Sequence, residues 1–380
     1  MLLRVIFLLQ TLLFSTSSVF ACSIDEDCSL NGICNTTCHC DPGWIGSDCG
    51  RLDLAPATRW TGYNHTNYTY PSYYGSYGNS SWGGRIVQDR QDPRLFHLLV
   101  DQFSHGCGLG GWRPTSFIVR AESRSGPQGP YEWAQNITGS FRHNADVLWS
   151  PGDGKYLLWA IGADVEDPTS CKSIPGSQFP AVVSVSGADD IRGPWSPFRV
   201  AVNGTNPAPW ALWNSTNKTP DIALAVEDMK FFTAPHWNAN YTRTGGSVPW
   251  NTTDYSPTWT EDPFIWRDKR GNWHALAHWM IDIVEYDGRK YPRVGAHMYS
   301  RNLADGWTFK VQEAFNSTVT FTDGAVETFN RRERSKIFFG DNLTPLYLVS
   351  GVQALGAKSS FTLVQPIGSK WRKYEDKLGL

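Results

Sequence analysis

The residues best placed to do chemistry are acids in short polar segments that stand just before apolar runs. Glu261 and Asp262 are adjacent in "TEDPFIW", Asp146 sits in "HNADV", and Glu333 lies between two arginines in "RRERSKIFF". Crowded carboxyl groups push their pKa values apart, leaving one protonated near neutrality and another ionised. That is the division of labour required of a general acid and a general base. Arg332 and Arg334 favour the ionised form of Glu333, and their guanidinium forks also match a carboxylate or sulfate. His143 and Asn144 share the segment of Asp146, and Asn206 opens "NPAPW", which ends on Trp210. His105 lies in the glycine-rich run "SHGCGLGGW". No helical pattern follows that run, so it is not a phosphate cradle. His105 and His143 can donate to hydroxyl groups, and Trp82, Trp112 and Trp210 offer flat apolar platforms. His274 and His278 share one strand face by period two, without the helix and adjacent Glu of a zinc-protease motif. No metal or other cofactor is expected.

The acids are far apart in sequence, so the elements around them must bring them together. "SWGGRIVQDRQDPRLFHLLV", "HNADVLWSPGDGKYLLWAIG", "NPAPWALWNSTNKTPDIALAV", "TEDPFIWRDKRGNWHALAHW" and "RRERSKIFFGDNLTPLYLVSGV" share one grammar. Each has a polar head, a short apolar run, a turn and a second apolar run. The second runs begin near Leu95, Tyr156, Ile222, Trp273 and Leu346. Between copies come pieces such as "SFIVRAESRSGPQGPYEW" and "AVVSVSGADDIRGPWSPF", read as third and fourth strands. No long segment carries a 3.6-residue period. Four strands in each of five units predict an all-β, five-bladed β-propeller over residues 57–375, since radial closure removes long exposed edges. A β-sandwich does not explain a fivefold grammar. In a propeller the first strands line the central channel, so the five heads should gather at one mouth.

The ends and the cysteines set the compartment. Arg4, the apolar run Val5–Phe14 and the ending Val19-Phe20-Ala21 read as a signal peptide over residues 1–21. The run is too short and too interrupted for a transmembrane anchor, and no later segment is apolar for long enough. A secreted, extracellular glycoprotein is expected. Sequons at Asn35, Asn64, Asn67, Asn79, Asn136, Asn203, Asn214, Asn217, Asn240, Asn251, Asn316 and Asn342 agree with it. Six of the eight cysteines lie between Cys22 and Cys49, the density of a disulfide staple for a piece too small to build a core. Spacing alone leaves fifteen connectivities, and a zinc site is the rival reading. The net charge is −2, with no basic face for nucleic acid. The 18 Trp, 15 Tyr and 19 Phe mostly fill a sheet-rich core, with a few left for a binding cleft.

"CSIDEDCSLNGICNTTCHCDPGWIGSDC" resembles an epidermal-growth-factor-like (EGF-like) module, here residues 22–50. The resemblance implies the pairs Cys22–Cys34, Cys28–Cys38 and Cys40–Cys49, and a module suited to protein or glycan contacts. Cys107 and Cys171 are then left to join distant loops. The heads "HNADV", "NPAPW", "EDPFIW" and "RRERSKIFF" look like those of the five-bladed propeller enzymes of glycoside hydrolase family 43 and its relatives in families 32, 68 and 117. The resemblance implies hydrolysis of a glycosidic bond in an extracellular or cell-wall polysaccharide, with three acids at the channel mouth. The family's roles do not copy onto a chain that lacks the first-blade acid; of the residues present, Asp146 is the candidate base, Glu333 the candidate acid and Asp262 the tuning or sugar-binding group. Trp82, His105, Trp112, His143, Asn144, Asn206, Trp210, Glu261, Arg332 and Arg334 would contact the sugar, which the arginines suggest is acidic. The first-blade head, "SWGG", departs from the family because it carries no carboxylate, and Asp89 lies at the far end of that run. The alternatives are a lectin-like propeller without turnover and a polysaccharide lyase acting on an acidic glycan.

Overall fold

Alternating apolar residues rich in Val, Ile, Leu and aromatics pair into antiparallel sheets wherever a Gly, Pro or Asp turn lets the chain reverse. In the structure, a computed structural model, the described residues are 21–64, 80–166, 168–174, 181–212, 222–245, 260–279, 285–286, 289–290, 294–310 and 312–380. Residues 1–20 of the expected signal peptide lie outside these, as do the sequons Asn67, Asn79, Asn214, Asn217 and Asn251.

The amino-terminal module holds two small hairpins, β1 (Gly32–Asn35) with β2 (Thr37–Cys40), and β3 (Trp44–Ile45) with β4 (Arg51–Leu52). Its disulfides are Cys22–Cys34, Cys28–Cys38 and Cys40–Cys49, the pairing that the EGF-like resemblance implies. Oxidation of these thiols disposes of the zinc reading.

Five antiparallel sheets follow. Blade 1 is β5 (Ser81–Gln88), β6 (Phe96–Phe103), β7 (Ser116–Ser123) and β8 (Glu132–Asn136). Blade 2 is β9 (Arg142–Ser150), β10 (Lys155–Gly162), β11 (Val182–Ala188) and β12 (Arg199–Asn203). Blade 3 is β13 (Ala208–Ala211), β14 (Ile222–Val226), β15 (Lys230–Ala234) and β16 (Thr242–Arg243). Blade 4 is β17 (Thr260–Arg267), β18 (Trp273–Trp279), β21 (Val294–Ser300) and β22 (Thr308–Phe309), with a side hairpin of β19 (Glu285–Tyr286) and β20 (Arg289–Lys290). After a hairpin of β23 (Thr318–Thr320) and β24 (Val326–Thr328), blade 5 is β25 (Arg331–Phe339), β26 (Pro345–Gln353) and β27 (Phe361–Pro366).

The first strands are neighbours in the order β5, β9, β13, β17, β25 and back to β5, which closes the ring. Each blade packs on the next through its own apolar layer. Leu99 and Ile118 meet Val147 and Leu158 between blades 1 and 2, and Phe264 and Leu276 meet Ile337 and Leu348 between blades 4 and 5. Blade 5 contributes three strands instead of the four expected. The amino-terminal segment completes it: Leu54 bridges Ile367, and Tyr63 exchanges backbone bonds with Thr362 at 2.9 and 3.1 Å. The carboxy-terminal helix Lys370–Leu378 lays Trp371, Tyr374 and Leu378 over the blade 5–blade 1 core. Among the described residues, no helix is long and apolar enough to cross a membrane.

Candidate functional site

A β-bulge recurs at the same level of four inner strands. Gly83–Gly84 oppose only Val100, Asn144–Ala145 only Ala160, Asp262–Pro263 only Ala277, and Arg334–Ser335 only Ser350. The first residue of each pair is left-handed, and so is Asn206 at the head of blade 3; φ lies between 50° and 65° for Gly83, Asn144, Asn206, Asp262 and Arg334. Gly, Asn and Asp tolerate this region, whereas an arginine there costs about 1–2 kcal/mol. A bulge re-aims neighbouring side chains. Here Trp82, His143, Glu261, Asp262, Glu333 and Arg334 all line one cavity of about 670 Å³. Gly108–Trp112, Cys171, Arg331, Gln353, Ala357 and Lys358 complete its wall, and the Cys107–Cys171 disulfide ties the loops that contribute to it.

Trp82 is buried across β26, where a Cβ on Gly351 would lie 2.6 Å from the indole. Trp112 stacks on His143 with ring centres 4.3 Å apart. Burial holds the His143 imidazole well below its ordinary pKa, and the Arg334 and Arg113 guanidinium groups add to the effect. His143 is therefore neutral at neutral pH.

Glu261 is pushed up to about 8 by burial and by the charges of Asp262 and Glu333. It can hold a proton to donate near neutrality. Asp262 is also raised, by burial against the opposing charge of Arg334, whose Nε lies 3.2 Å from Oδ1. Arg331 approaches Glu333 at 3.4 Å. His278 faces Glu261 across the β17–β18 ladder, Nδ1 to Oε2 3.9 Å. Glu261, Asp262 and His278 place potential ligand atoms within 4.8 Å of one another. Arg334 already gives Asp262 a positive partner there.

Three contributors were not singled out from the sequence. Asp101, on β6, accepts the backbone N–H groups of Asn144 and Ala145 at 2.9 and 3.2 Å and pairs with Arg334 at 3.3 Å. It fixes the blade 2 bulge, and a lone acid inside the apolar run "LFHLLVDQF" was its available signal. Glu227, just after β14, is pushed up to about 7 by burial and by Asp228 and Asp262. Arg113 is held below its usual value by burial, with Glu261 opposing.

Other expected residues stand elsewhere. Asp146 is not in the cavity wall. It lies two positions past the left-handed Asn144 on β9, at the level of Arg85 and Lys336, deeper in the channel. There it is fully buried, with Oδ1 2.7 Å from Arg85 Nη1 and Oδ2 3.2 Å from Lys336 Nζ. Arg332 takes the strand face opposite Glu333 and donates to Asn316 O at 3.1 Å and Gln365 Oε1 at 2.8 Å. Burial lowers its guanidinium to about 9. Asn144 donates to Asn206 beneath the mouth. Trp210 packs edge-on against Phe339, and His105 is outside the wall. Asp89 pairs with His97 and Arg192 at 2.9 and 2.8 Å, away from the cavity. His274 faces Asp268 and His297 beneath the EGF-like module.

The fold and cavity define a five-bladed propeller with acids, a neutral histidine and indole rings at one channel mouth. Known proteins of this architecture are similar. Residues 22–49 match the EGF-like domain model. The solved structures that match include a glycoside hydrolase family 43 protein of Bacillus licheniformis, 13% identical over 76% of this chain and 53% of that one, TM-score 0.49. Exo-β-1,3-galactanase of Phanerochaete chrysosporium, solved with galactose, is 12% identical over 80% of this chain and 64% of that one, TM-score 0.50. Zg3597, a family 117 glycoside hydrolase of Zobellia galactanivorans, is 14% identical over 86% and 91%, TM-score 0.51. The matches span 53% and 64%, less than two thirds, of the first two chains. No curated protein matches the sequence.

Proposed function

We propose that the chain is a secreted glycoside hydrolase that binds a glycan at the channel mouth and cleaves it with the carboxyl groups gathered there. The observation that carries this reading is the convergence of Glu261, Asp262 and Glu333 from two blades on a cavity walled by Trp82 and Trp112. Glycosidic hydrolysis needs one carboxyl group to protonate the leaving oxygen and a second to activate water or attack the sugar. Glu261, protonated near neutrality, is the proton donor in this scheme, and Glu333 is the second group. Asp262, held by Arg334, keeps the donor's pKa high. The base role expected of Asp146 does not suit a carboxylate locked between Arg85 and Lys336. Removal of residues 1–21, a module of residues 22–50 and a propeller of residues 57–375 belong to the same proposal. The arginines of the wall favour an acidic sugar, and the four disulfides agree with an oxidising compartment.

The test is release of reducing ends from a panel of polysaccharides, including β-1,3-galactan and uronate-containing glycans. Glu261→Gln and Glu333→Gln should each cut turnover roughly 10²–10⁴-fold while leaving binding intact. A binding-only propeller is the second reading, favoured by the Gly83–Gly84 head, which supplies no carboxylate from blade 1. Tight binding of a glycan by the wild type with no product released would decide for it. Release of unsaturated uronates would decide for a lyase.

A further inference from the structure

Outside the cavity, the outer strand of blade 1 carries the sequon Asn136-Ile137-Thr138 three residues after a half-exposed indole, Trp133. We propose that Asn136 bears an N-linked glycan and that its first N-acetylglucosamine packs on the face of Trp133. Nothing in this inference rests on the hydrolase reading.

The backbone creates the pair. In the β7–β8 ladder Arg120 faces Gln135 but Ala121 faces Trp133, so Ala134 is an extra residue. Without that bulge, residues three apart would point to opposite faces of the strand. With it, Trp133 Nε1 donates to Asn136 Oδ1 at 2.9 Å. Trp133 remains 54% exposed, and Asn136 is exposed beside it. A tryptophan left this open on an edge strand presents apolar surface that gains from being covered.

The direction of the hydrogen bond suits the modification. Attachment occurs at Nδ2 and leaves Oδ1 an amide carbonyl, so the indole N–H keeps its acceptor. In the transfer, Nδ2 bonds to the anomeric carbon of a lipid-linked pyrophosphoryl oligosaccharide. The bond from that carbon to the phosphate oxygen breaks, the lipid pyrophosphate leaves with the electron pair, and one amide proton goes to a base. With Oδ1 held, the sugar on Nδ2 projects from an amide already fixed beside the indole N–H, within reach of the ring.

The bed is firm as well. Gln135 Nε2 donates to Arg192 O at 2.9 Å, Arg120 Nη2 donates to Gln135 Oε1 at 2.8 Å, and Ile137 N donates to Ile118 O at 2.8 Å. Little order has to be created when the sugar settles. Thr138 Oγ1 accepts from Ile118 N at 3.0 Å. The sequon hydroxyl oxygen is thus engaged in the folded protein.

The experiment uses the full chain secreted from eukaryotic cells fed labelled glucosamine, with all glycans trimmed to one N-acetylglucosamine. Peptide mapping should find the sugar on Asn136. Carbon–proton spectra should show one set of sugar signals moved upfield by the indole ring current. That set should vanish in Asn136→Gln and return to ordinary positions in Trp133→Leu. An unmodified Asn136 in the secreted protein overturns the proposal. So does a modified Asn136 whose signals show no upfield shift, a result readable from the wild type and Asn136→Gln alone if Trp133→Leu fails to fold.

Discussion

Glu261 shows how much depends on the position of a single carboxyl group. Its pKa of about 8 exceeds the ordinary value of 4.5, so between those values the folded chain holds a proton that the unfolded chain has released. Stability therefore declines as pH rises from about 4.5 to about 8, and Glu261→Gln should flatten that decline in melts taken across the range. In the proposed hydrolysis the same proton is the one donated, so turnover should fall as pH rises through about 8, and a pH–rate profile checks this. Asp146 answers differently. Asp146→Asn leaves Arg85 and Lys336 buried without a full counter-charge, and a loss of about 3–5 kcal/mol is expected in denaturant melts. The heads made Glu261, Asp262, Glu333, Arg334 and His143 legible in the sequence. They also placed Asp146 on the wrong level, because a bulge shifts levels without leaving a mark in composition. Asp101 and Glu227 belong to the second strands and their ends, where no repeated head draws attention to them.

The inner-strand bulge is the element that makes a mouth from five heads. It was invisible as a pattern because different residues fill it, Gly83, Asn144, Asp262 and Arg334, and blade 3 has only the left-handed Asn206 in its place. The strands themselves were legible, since apolar runs and turns are local. Second strands expected near Leu95, Tyr156, Ile222, Trp273 and Leu346 begin at Phe96, Lys155, Ile222, Trp273 and Pro345. On blade 1 the bulge continues into Gly84, at φ 108°, where an added Cβ would lie 2.8 Å from Leu99 O. Gly84→Ala is expected to cost at least about 1–2 kcal/mol, the penalty for a side chain in left-handed backbone. The strain sits beside Trp82, so ligand affinity should fall together with the melting temperature.

At the scale of the whole molecule, two contacts between distant parts of the chain hold the ring and its attached module together, and neither has a sequence signature. Residues 54–63 close blade 5 against residues 362–367 through a few bridges, too few to show periodicity. The EGF-like module docks on blade 4. Trp44 packs against Trp266 and His297, Arg270 pairs with Asp41 at 2.5 Å, and Lys310 pairs with Asp48 at 3.2 Å. The module therefore braces the propeller, and the two should unfold in one transition. Trp44→Ala should cost about 3–5 kcal/mol, the range for deleting a buried aromatic, and should split that transition in calorimetry. The interface should also respond to acid. His297 Nε2 lies 3.1 Å from His274 Nδ1 and 3.3 Å from Asn31 Nδ2, and burial lowers the pKa of both histidines. Below the unfolded value of about 6.5 the unfolded chain binds protons that this pair refuses, so stability is lost as pH falls. His297→Gln keeps a polar partner for Asn31 and removes the titrating ring. It should reduce the drop in melting temperature between pH 7 and pH 5, and an undiminished drop would assign the acid sensitivity to other buried histidines such as His97 and His143.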